Sequence, residues 1–255
     1  MNFIYQNSEL FARATATVGE SPVWDGCGDR LWWTDLARGR LLAHDADGRL
    51  VYDARLGSTL GAVVLREGGG LTAALDGRVV AIDAGNDRPR VRPLADLGLA
   101  GRPLRVNDAA CDPNGRLWVG VVGTAPQRAP GELHVLEDGR TRRVLDGLAF
   151  PNGFDWSPDG AALYLVESHA RRVRVHPFDA ASGELGDPAE FVQLPPEDGL
   201  PDGVAVDAEG GVWVAVWGAG EVRRYTPAGT LAATVACPAS QTSSCAFGGP
   251  DRRTL

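Results

Sequence analysis

Short apolar strands and turns rich in Asp, Pro and Gly follow one another along most of this chain, and the strands that come third in the pattern, such as GRVVAIDAG and GELHVLEDGR, alternate apolar and polar residues. An apolar strand, such a turn and a second strand carrying Trp or Tyr recur together in SPVWDGCGDRLWWTD, DAACDPNGRLWVGV, FDWSPDGAALYLVE and VAVDAEGGVWVAV, and more weakly in AVVLREGGGLTAAL. Strict alternation is typical of half-buried β-strands. Since no stretch keeps a 3.6-residue apolar period, the pattern predicts an all-β fold.

The repeats have a regular spacing. Their second strands are predicted to open at Leu31, Leu71, Leu117, Leu163 and Val212. This spacing of about 40 to 50 residues is typical of four-stranded propeller blades, whereas a β-sandwich, the rival fold, lacks such a period. A sixth copy begins at SSCAFGGPDRRTL.

These repeats predict one domain over residues 1–255, a six-bladed β-propeller. Each blade would have four antiparallel strands, and the last blade would be truncated at the C-terminus. The segment ELFARATATV, which precedes the first repeat, is expected to supply the outer strand of the last blade. If that blade is open, its sheet edges need another cover.

One position, just ahead of the first strand, is shared by the repeats. Five residues before the turn entries stand four oxygen-bearing residues: Glu20, Asn107, Asn152 and Asp202. The other two repeats place Gly61 and either Thr242 or Ser243 there, small residues that would leave room for a ligand. First strands line the central channel of a propeller, so the four side chains are predicted to converge on one point.

Two carboxylates and two amide carbonyls are hard oxygen donors that suit one divalent cation, Ca²⁺, Mg²⁺, Mn²⁺ or Zn²⁺. Such a cation can polarise an ester carbonyl, and a neighbouring carboxylate can activate water as a general base. A second interpretation stays open, because Asn152–Gly153 and Asp202–Gly203 are also ordinary turn pairs. Arg105 is either a ligand for a substrate hydroxyl or carboxylate or a surface residue.

Five segments carry a family resemblance: GESPVWD, RVND with CDPNGRLWVG, PNGFDWSPDGAALYLVES, PDGVAVDAEGGVWVAVWGAGEVRRY and TSSCAFGGPDRRTL. Together they resemble the successive signatures of the SMP-30/gluconolactonase/luciferin-regenerating (regucalcin-like) family. The resemblance implies a six-bladed propeller with one divalent cation held by Glu20, Asn152 and Asp202. It also implies Asp202 as the general base and Arg105 and Asn107 as substrate contacts.

The resemblance implies a metal-dependent lactonase that opens a sugar-derived lactone. One departure is the segment GVVGTAPQRAPG, which has no acidic residue until Glu132, so an acidic substrate contact is missing and gluconolactone itself is in doubt. Two alternatives remain. The chain is a non-enzymatic, calcium-responsive propeller that binds metal or ligand, or it hydrolyses another ester in the same fold.

The charge and composition of the chain argue against some classes of binding partner. The net charge of −8 argues against nucleic acid and anionic membrane, which need a basic face. The four cysteines form no C-x-x-C pair and are interpreted as small buried residues in a reducing compartment. No apolar run approaches the ~20 residues needed to cross a bilayer. We therefore expect a soluble cytoplasmic protein, a monomer or small homo-oligomer, that acts on a small molecule.

Overall fold

The computed structural model describes residues 4–85, 88–124 and 129–255, and within these ranges the strands form five sheets. The chain divides into two units. Unit 1 comprises Met1–Glu9, Asp112–Gly115 and Ala149–Cys245. Unit 2 comprises Leu10–Cys111, Arg116–Leu148 and Ala246–Leu255. The first strand, β1 (Ile4–Asn7), belongs to unit 1.

Unit 2 contains three antiparallel sheets of four strands, and in each the spatial order follows the chain. The first is β2 (Gly19–Asp25), β3 (Arg30–Asp35), β4 (Arg40–Asp45) and β5 (Leu50–Arg55). The second is β6 (Leu60–Leu65), β7 (Leu71–Leu75), β8 (Arg78–Asp83) and β9 (Arg90–Asp96). The third is β10 (Leu104–Cys111), β11 (Leu117–Gly123), β12 (Gly131–Glu137) and β13 (Arg140–Leu148).

Unit 1 contains two sheets. The fourth sheet is β14 (Pro151–Trp156), β15 (Ala162–Glu167), β16 (Arg172–Asp179), β17 (Glu184–Leu185) and β18 (Ala189–Gln193), with β16 pairing both β17 and β18. The fifth is β19 (Leu200–Val206), β20 (Val212–Trp217), β21 (Glu221–Tyr225) and β22 (Leu231–Ala236), with β1 parallel to β22 at its edge. The helical segments in the described ranges are short 3₁₀ turns, and none is long or apolar enough to cross a membrane.

The predicted strand spacing is confirmed, but the predicted number of blades is wrong. Strands β7, β11 and β20 begin at the predicted residues, and β3 and β15 begin one residue earlier. The all-β propeller has five blades, because the sixth repeat forms no sheet: after Ala236 the chain makes only isolated bridges, Trp217 with Gln241 and Gly248 with Thr254. A strand needs neighbours for its backbone groups, and a turn from Gly249 to Arg252 interrupts this segment.

The expected role of ELFARATATV is also wrong. Residues 9–18 form no strand, and the outer strand of the fifth sheet is β1. Backbone donors near the end of this segment bond to a side chain instead, because the Asp35 carboxylate accepts hydrogen bonds from Thr17 N at 3.0 Å and Val18 N at 3.2 Å. A peptide group that bonds to a carboxylate is not available to a strand ladder.

Apolar side chains on both faces of the sheets form the core of each unit. In unit 2, Leu41 of the first sheet packs with Leu60 and Ile82 of the second. In unit 1, Val166 of the fourth sheet packs with Val214 of the fifth. Full burial of such a side chain contributes about 1.5–3 kcal/mol. Burial on both faces explains why runs such as LYLV and VWVAV are nearly continuous in apolar residues.

Carboxylates at the ends of second strands hold the segments that lead into first strands. Asp35, which ends β3, binds the approach to β2, and Glu167, which ends β15, accepts a hydrogen bond from Ala149 N at 2.9 Å ahead of β14. Asp76, just after β7, accepts one from Thr59 N at 2.8 Å ahead of β6. A carboxylate that accepts backbone N–H groups makes strong, charge-assisted bonds. These bonds therefore position the starts of three first strands.

The four cysteines are free thiols. Cys27 and Cys111 are exposed, so the expectation that all four are buried is wrong for these two. Cys27 lies in the hairpin turn between β2 and β3, and Cys111 is the last residue of β10, next to a turn. Turn residues lie at the surface because their backbone groups need water.

Candidate functional site

The first strand of every sheet contains a β-bulge at the position that the repeats share. Its pairing with the second strand shifts between Glu20 and Val23, Leu60 and Ala62, Val106 and Ala109, Pro151 and Phe154, and Pro201 and Val204. A bulge removes residues from the ladder and changes where their side chains point. Asn107, Asn152 and Asp202 lie inside these bulges, and Glu20 begins one.

Glycines in the bulges allow neighbouring first strands to touch. A Cβ atom on Gly153 would lie 2.4 Å from Val204 N and 2.6 Å from Gly203 Cα, so β14 and β19 are in backbone contact immediately after Asn152 and Asp202. Both strands belong to unit 1. The bulges therefore place Asn152 and Asp202 on adjoining strands at the same level.

Gly61 plays the same part in unit 2. A Cβ atom there would lie 2.9 Å from Asn107 O, and Asn107 follows Val106 on β10. The expectation that Gly61 leaves room for a ligand is therefore wrong. The backbone of the next first strand fills the space that a side chain would have occupied.

A buried serine connects the two first strands that carry the predicted ligands of unit 1. Ser168 Oγ donates a hydrogen bond to Pro201 O at 2.7 Å, and Asn152 Nδ2 donates one to Ser168 Oγ at 3.2 Å. Asn152, Ser168 and Asp202 retain only 7%, 4% and 6% of their exposure. The serine thus joins the side chain of Asn152 to the peptide group that precedes Asp202.

Arg105 and Asn107 form a pair in unit 2. Arg105 Nη1 donates to Asn107 Oδ1 at 2.7 Å and to Val106 O at 2.9 Å. The guanidinium is permanently charged, so a second cation at this amide oxygen would be repelled. The amide oxygen of Asn107 is therefore already bound to a cationic group. Arg105 also lines a cavity of about 290 Å³ together with Ser58 and Asp76.

The backbone at Glu20 is held from two sides. Thr34, a residue of β3, donates a hydrogen bond from its Oγ1 to Glu20 O at 3.3 Å. Ser21, which has a left-handed backbone with φ 51°, accepts a hydrogen bond from Val63 N at 2.9 Å and donates one to Val63 O at 3.2 Å. A serine hydroxyl can do both at once. These bonds tie β2 to β3 and β6 around Glu20, whose side chain is half-buried.

Glu132 is bound to its own neighbours and does not replace the missing acidic contact. Its carboxylate pairs with Arg102, with Arg143 at 3.0 Å and with His134 at 2.8 Å. Burial alone would raise the pKa of Glu132, but hydrogen bonds from Arg102, His134 and Arg143 outweigh it and hold that pKa at about 2. Of the altered segment GVVGTAPQ, the residues Ala125, Pro126 and Gln127 lie outside the described residues.

Of the sequence-predicted residues, the structure joins Arg105 to Asn107, and Ser168 joins Asn152 to the carbonyl of Pro201, the residue before Asp202. Glu20, Arg105 and Asn107 belong to unit 2, and Asn152 and Asp202 belong to unit 1. In the described ranges, no three His, Cys, Asp or Glu residues are grouped so as to hold a metal ion. A cation held by the described residues would therefore need amide or backbone oxygens among its ligands.

Sequence reasoning did not identify Ser168 or the role of Ser21. The strand pairing aligns Glu167 of the fourth sheet with Asp35 of the first, so the equivalent of Ser168 is Leu36. Because the repeat has no polar residue at that position in the first blade, it provides no signal for Ser168. The only hint is that Ser168 follows an acidic residue at the end of a strand.

The fold and these bulges define a class: a β-propeller whose first strands present carboxylate and amide side chains from their bulges. The family model for the SMP-30/Gluconolactonase/LRE-like region matches residues 18–255, and the chain belongs to this family. The resemblance drawn from the motifs is thus confirmed.

Several relatives are similar over most of their length. Pentonolactonase XacC of Haloferax volcanii is 34% identical over 93% of this chain and 80% of the relative. Regucalcin of Macaca fascicularis is 32% identical over 91% of this chain and 79% of the relative. The crystal structure of a calcium-binding protein, regucalcin, from Agrobacterium tumefaciens superposes with a TM-score of 0.90 at 27% identity, covering 98% of this chain and 84% of that chain.

Proposed function

We propose that this protein hydrolyses a sugar-derived lactone with the help of one divalent cation. The observation that carries the proposal is the pair of buried oxygen-bearing side chains, Asn152 and Asp202, on adjoining bulges joined by Ser168. Similarity to a protein named pentonolactonase supports a lactone as the substrate class, and similarity to a calcium-binding regucalcin supports a divalent cation.

The donor set fits such a cation. Asp202 offers a buried carboxylate, and the amide oxygen of Asn152 is on the opposite side of the amide from the nitrogen that binds Ser168. Carboxylate and amide oxygens suit Ca²⁺, Mg²⁺ and Mn²⁺, and carboxylates also bind Zn²⁺. Glu20 is the third proposed ligand, on the basis of its register with Asn152 and Asp202 and of the GESPVW motif. A bound cation would polarise the lactone carbonyl.

The protein's own residues then have separate tasks. Asp202 accepts a proton from the water whose oxygen bonds to the carbonyl carbon. As the ring C–O bond breaks, the leaving oxygen takes up a proton, so the product is a hydroxy acid. Arg105 has further N–H donors besides the one bound to Asn107, and it orients the substrate's hydroxyl or carboxylate oxygens. Asn107 contributes its amide nitrogen as a donor.

The test is a pH-stat assay on a panel of sugar lactones with Ca²⁺, Mg²⁺, Mn²⁺ or Zn²⁺ added separately. Asp202→Asn is expected to lose at least about 100-fold in turnover, the usual contribution of a general base, while its circular dichroism is unchanged. Asp187→Asn, at an exposed position, is the matched control and should retain activity. Absence of turnover in the wild type with all four metals, or full activity in Asp202→Asn, would refute the proposal.

A non-catalytic role is the second candidate, because the similar Agrobacterium tumefaciens structure is described as a calcium-binding protein. Binding of Ca²⁺ without turnover of any lactone would select it. Turnover of aryl esters or organophosphates in place of lactones would instead select a different hydrolase in the same fold.

We place the protein in the cytoplasm, as a monomer or small homo-oligomer. Four free cysteines, two of them exposed, suit a reducing compartment. Thiol labelling of freshly purified protein is expected to modify the exposed Cys27 and Cys111, and a disulfide between any of the four would contradict this. Size-exclusion chromatography tests the oligomeric state.

A further inference from the structure

Ser168 lies where the fourth and fifth sheets meet in unit 1. It follows β15, and its backbone N donates to Phe150 O at 3.1 Å, ahead of β14. Its side chain reaches both first strands: Asn152 of β14 and Pro201 of β19. A buried hydroxyl at such a place contributes through its hydrogen bonds, since polar groups are costly to bury without them.

Counting protons at Ser168 assigns the orientation of the Asn152 amide. A serine hydroxyl has one proton, and the 2.7 Å bond to Pro201 O uses it, because a carbonyl oxygen can only accept. Towards Asn152, Ser168 Oγ can then only accept, so the group facing it is the amide nitrogen. The nitrogen and oxygen of an amide are on opposite sides, so Asn152 Oδ1 is directed away from Ser168.

The first sheet provides a comparison. Its ligand candidate at the same register is Glu20, and the residue equivalent to Ser168 is Leu36. A carboxylate presents two equivalent oxygens and needs no device to select one. An asparagine presents one oxygen and one nitrogen, and only the oxygen binds a cation. The serine therefore stands beside the residue whose end must be selected, and an apolar residue stands beside the one that needs no selection.

We propose that Ser168 is a positioning residue that fixes the amide of Asn152 with its oxygen towards the cation and holds the strand that carries Asp202. This inference rests on the proposed function, in which Asn152 and Asp202 bind one divalent cation. The hydroxyl of Ser168 bonds to Asn152 and to Pro201 O, so the role that we assign to it is exerted through these groups. Without the hydroxyl, Asn152 loses the hydrogen bond that places its nitrogen on this side, and terminal amide torsions are otherwise broad and roughly two-fold.

The experiment measures Mn²⁺ binding to the whole chain by electron paramagnetic resonance of the free ion, with no substrate present. Ser168→Ala is expected to weaken Mn²⁺ binding by roughly 10- to 100-fold, the usual effect of losing a group that orients a metal ligand. Ser168→Thr, which keeps the hydroxyl, should restore most of the affinity. Ser182→Ala, in an exposed turn, is the control and should bind Mn²⁺ as the wild type does.

A second pair of variants separates positioning from general support of the fold. In an Asn152→Asp background the ligand has two equivalent oxygens, so Ser168→Ala should cost less than about threefold in Mn²⁺ affinity, compared with the 10- to 100-fold expected beside asparagine. An equal loss in both backgrounds would show that Ser168 only supports the strands, and would overturn the inference.

The remaining outcomes are also distinct. Wild-type affinity in Ser168→Ala would overturn the positioning role and leave the proposed function standing. Absence of Mn²⁺ binding in the wild type would overturn the cation site and this inference together. If Ser168→Ala does not fold, the comparison of Ser168→Thr with Ser168→Cys, which lacks a strong donor, provides the same test.

Discussion

Backbone contact between β14 and β19 makes Gly153→Ala the most informative single change. An alanine Cβ would lie 2.4 Å from Val204 N and 2.6 Å from Gly203 Cα. Both atoms belong to the backbone of a paired strand, so no side chain can turn aside to make room. The two strands must separate, and they separate next to Asn152 and Asp202.

The expected change in the free energy of unfolding is the difference between two opposing contributions. Forcing an extra methyl group into a well-packed place costs about 1–3 kcal/mol, and contact with backbone puts this position at the upper end. Replacing glycine by alanine also reduces the entropy of the unfolded chain, which returns about 0.4–1 kcal/mol. The expected net loss is about 2 kcal/mol. For a chain of this size, that lowers Tm by roughly 4–8 °C.

The assay is thermal unfolding followed by circular dichroism, together with Mn²⁺ binding. Gly26→Ala is the matched control, because its backbone is not left-handed and the nearest atom, Trp24 Nε1, is 3.9 Å from the new Cβ. That variant should keep or slightly raise Tm, whereas Gly153→Ala should lower it. A Gly153→Ala protein with wild-type Tm and Mn²⁺ affinity would show that the strands do not touch at this point.

Two further predictions concern pH. The pKa of Glu132 is held at about 2, below its ordinary value of 4.5, so its stabilisation is present above pH 4.5 and is lost as the pH falls towards 2. When the free energy of unfolding is measured by urea denaturation at several pH values, Glu132→Gln should lose less stability in acid than the wild type. An unchanged dependence of that free energy on pH would contradict this prediction. Burial raises the pKa of Asp155 from 3.8 to about 6, against hydrogen bonds from Val206 and Trp156, so stability should fall as the pH rises from about 4 through 6. Asp155→Asn should remove that fall, and a variant that retains it would show that another group is responsible.

Local patterning was sufficient for the starts of second strands and for finding residues that share one position in the repeats. The repeated turns ahead of Leu71, Leu117 and Val212 predicted where second strands begin, because a turn rich in Asp, Pro and Gly ends one strand and the next strand opens after it. The common register also predicted Asn152 and Asp202, and each lies in a bulge of a first strand. Repeats that fold alike place equivalent residues alike, but the shared position lies within the first strand and not just ahead of it, as counting from the turn had predicted.

The count of blades and the connections between strands were decided by tertiary structure alone. Whether residues after Ala236 form a sheet depends on pairing partners, which a repeat pattern does not reveal. Three contacts join residues that are far apart in the chain: the hydrogen bond from Thr17 N to Asp35, the contact of Gly61 with Asn107, and the hydrogen bond from Ser168 to Pro201 O. Alternation in a sequence reports which face of a strand is buried. It does not report which distant atom that face meets, because the meeting depends on how whole sheets pack.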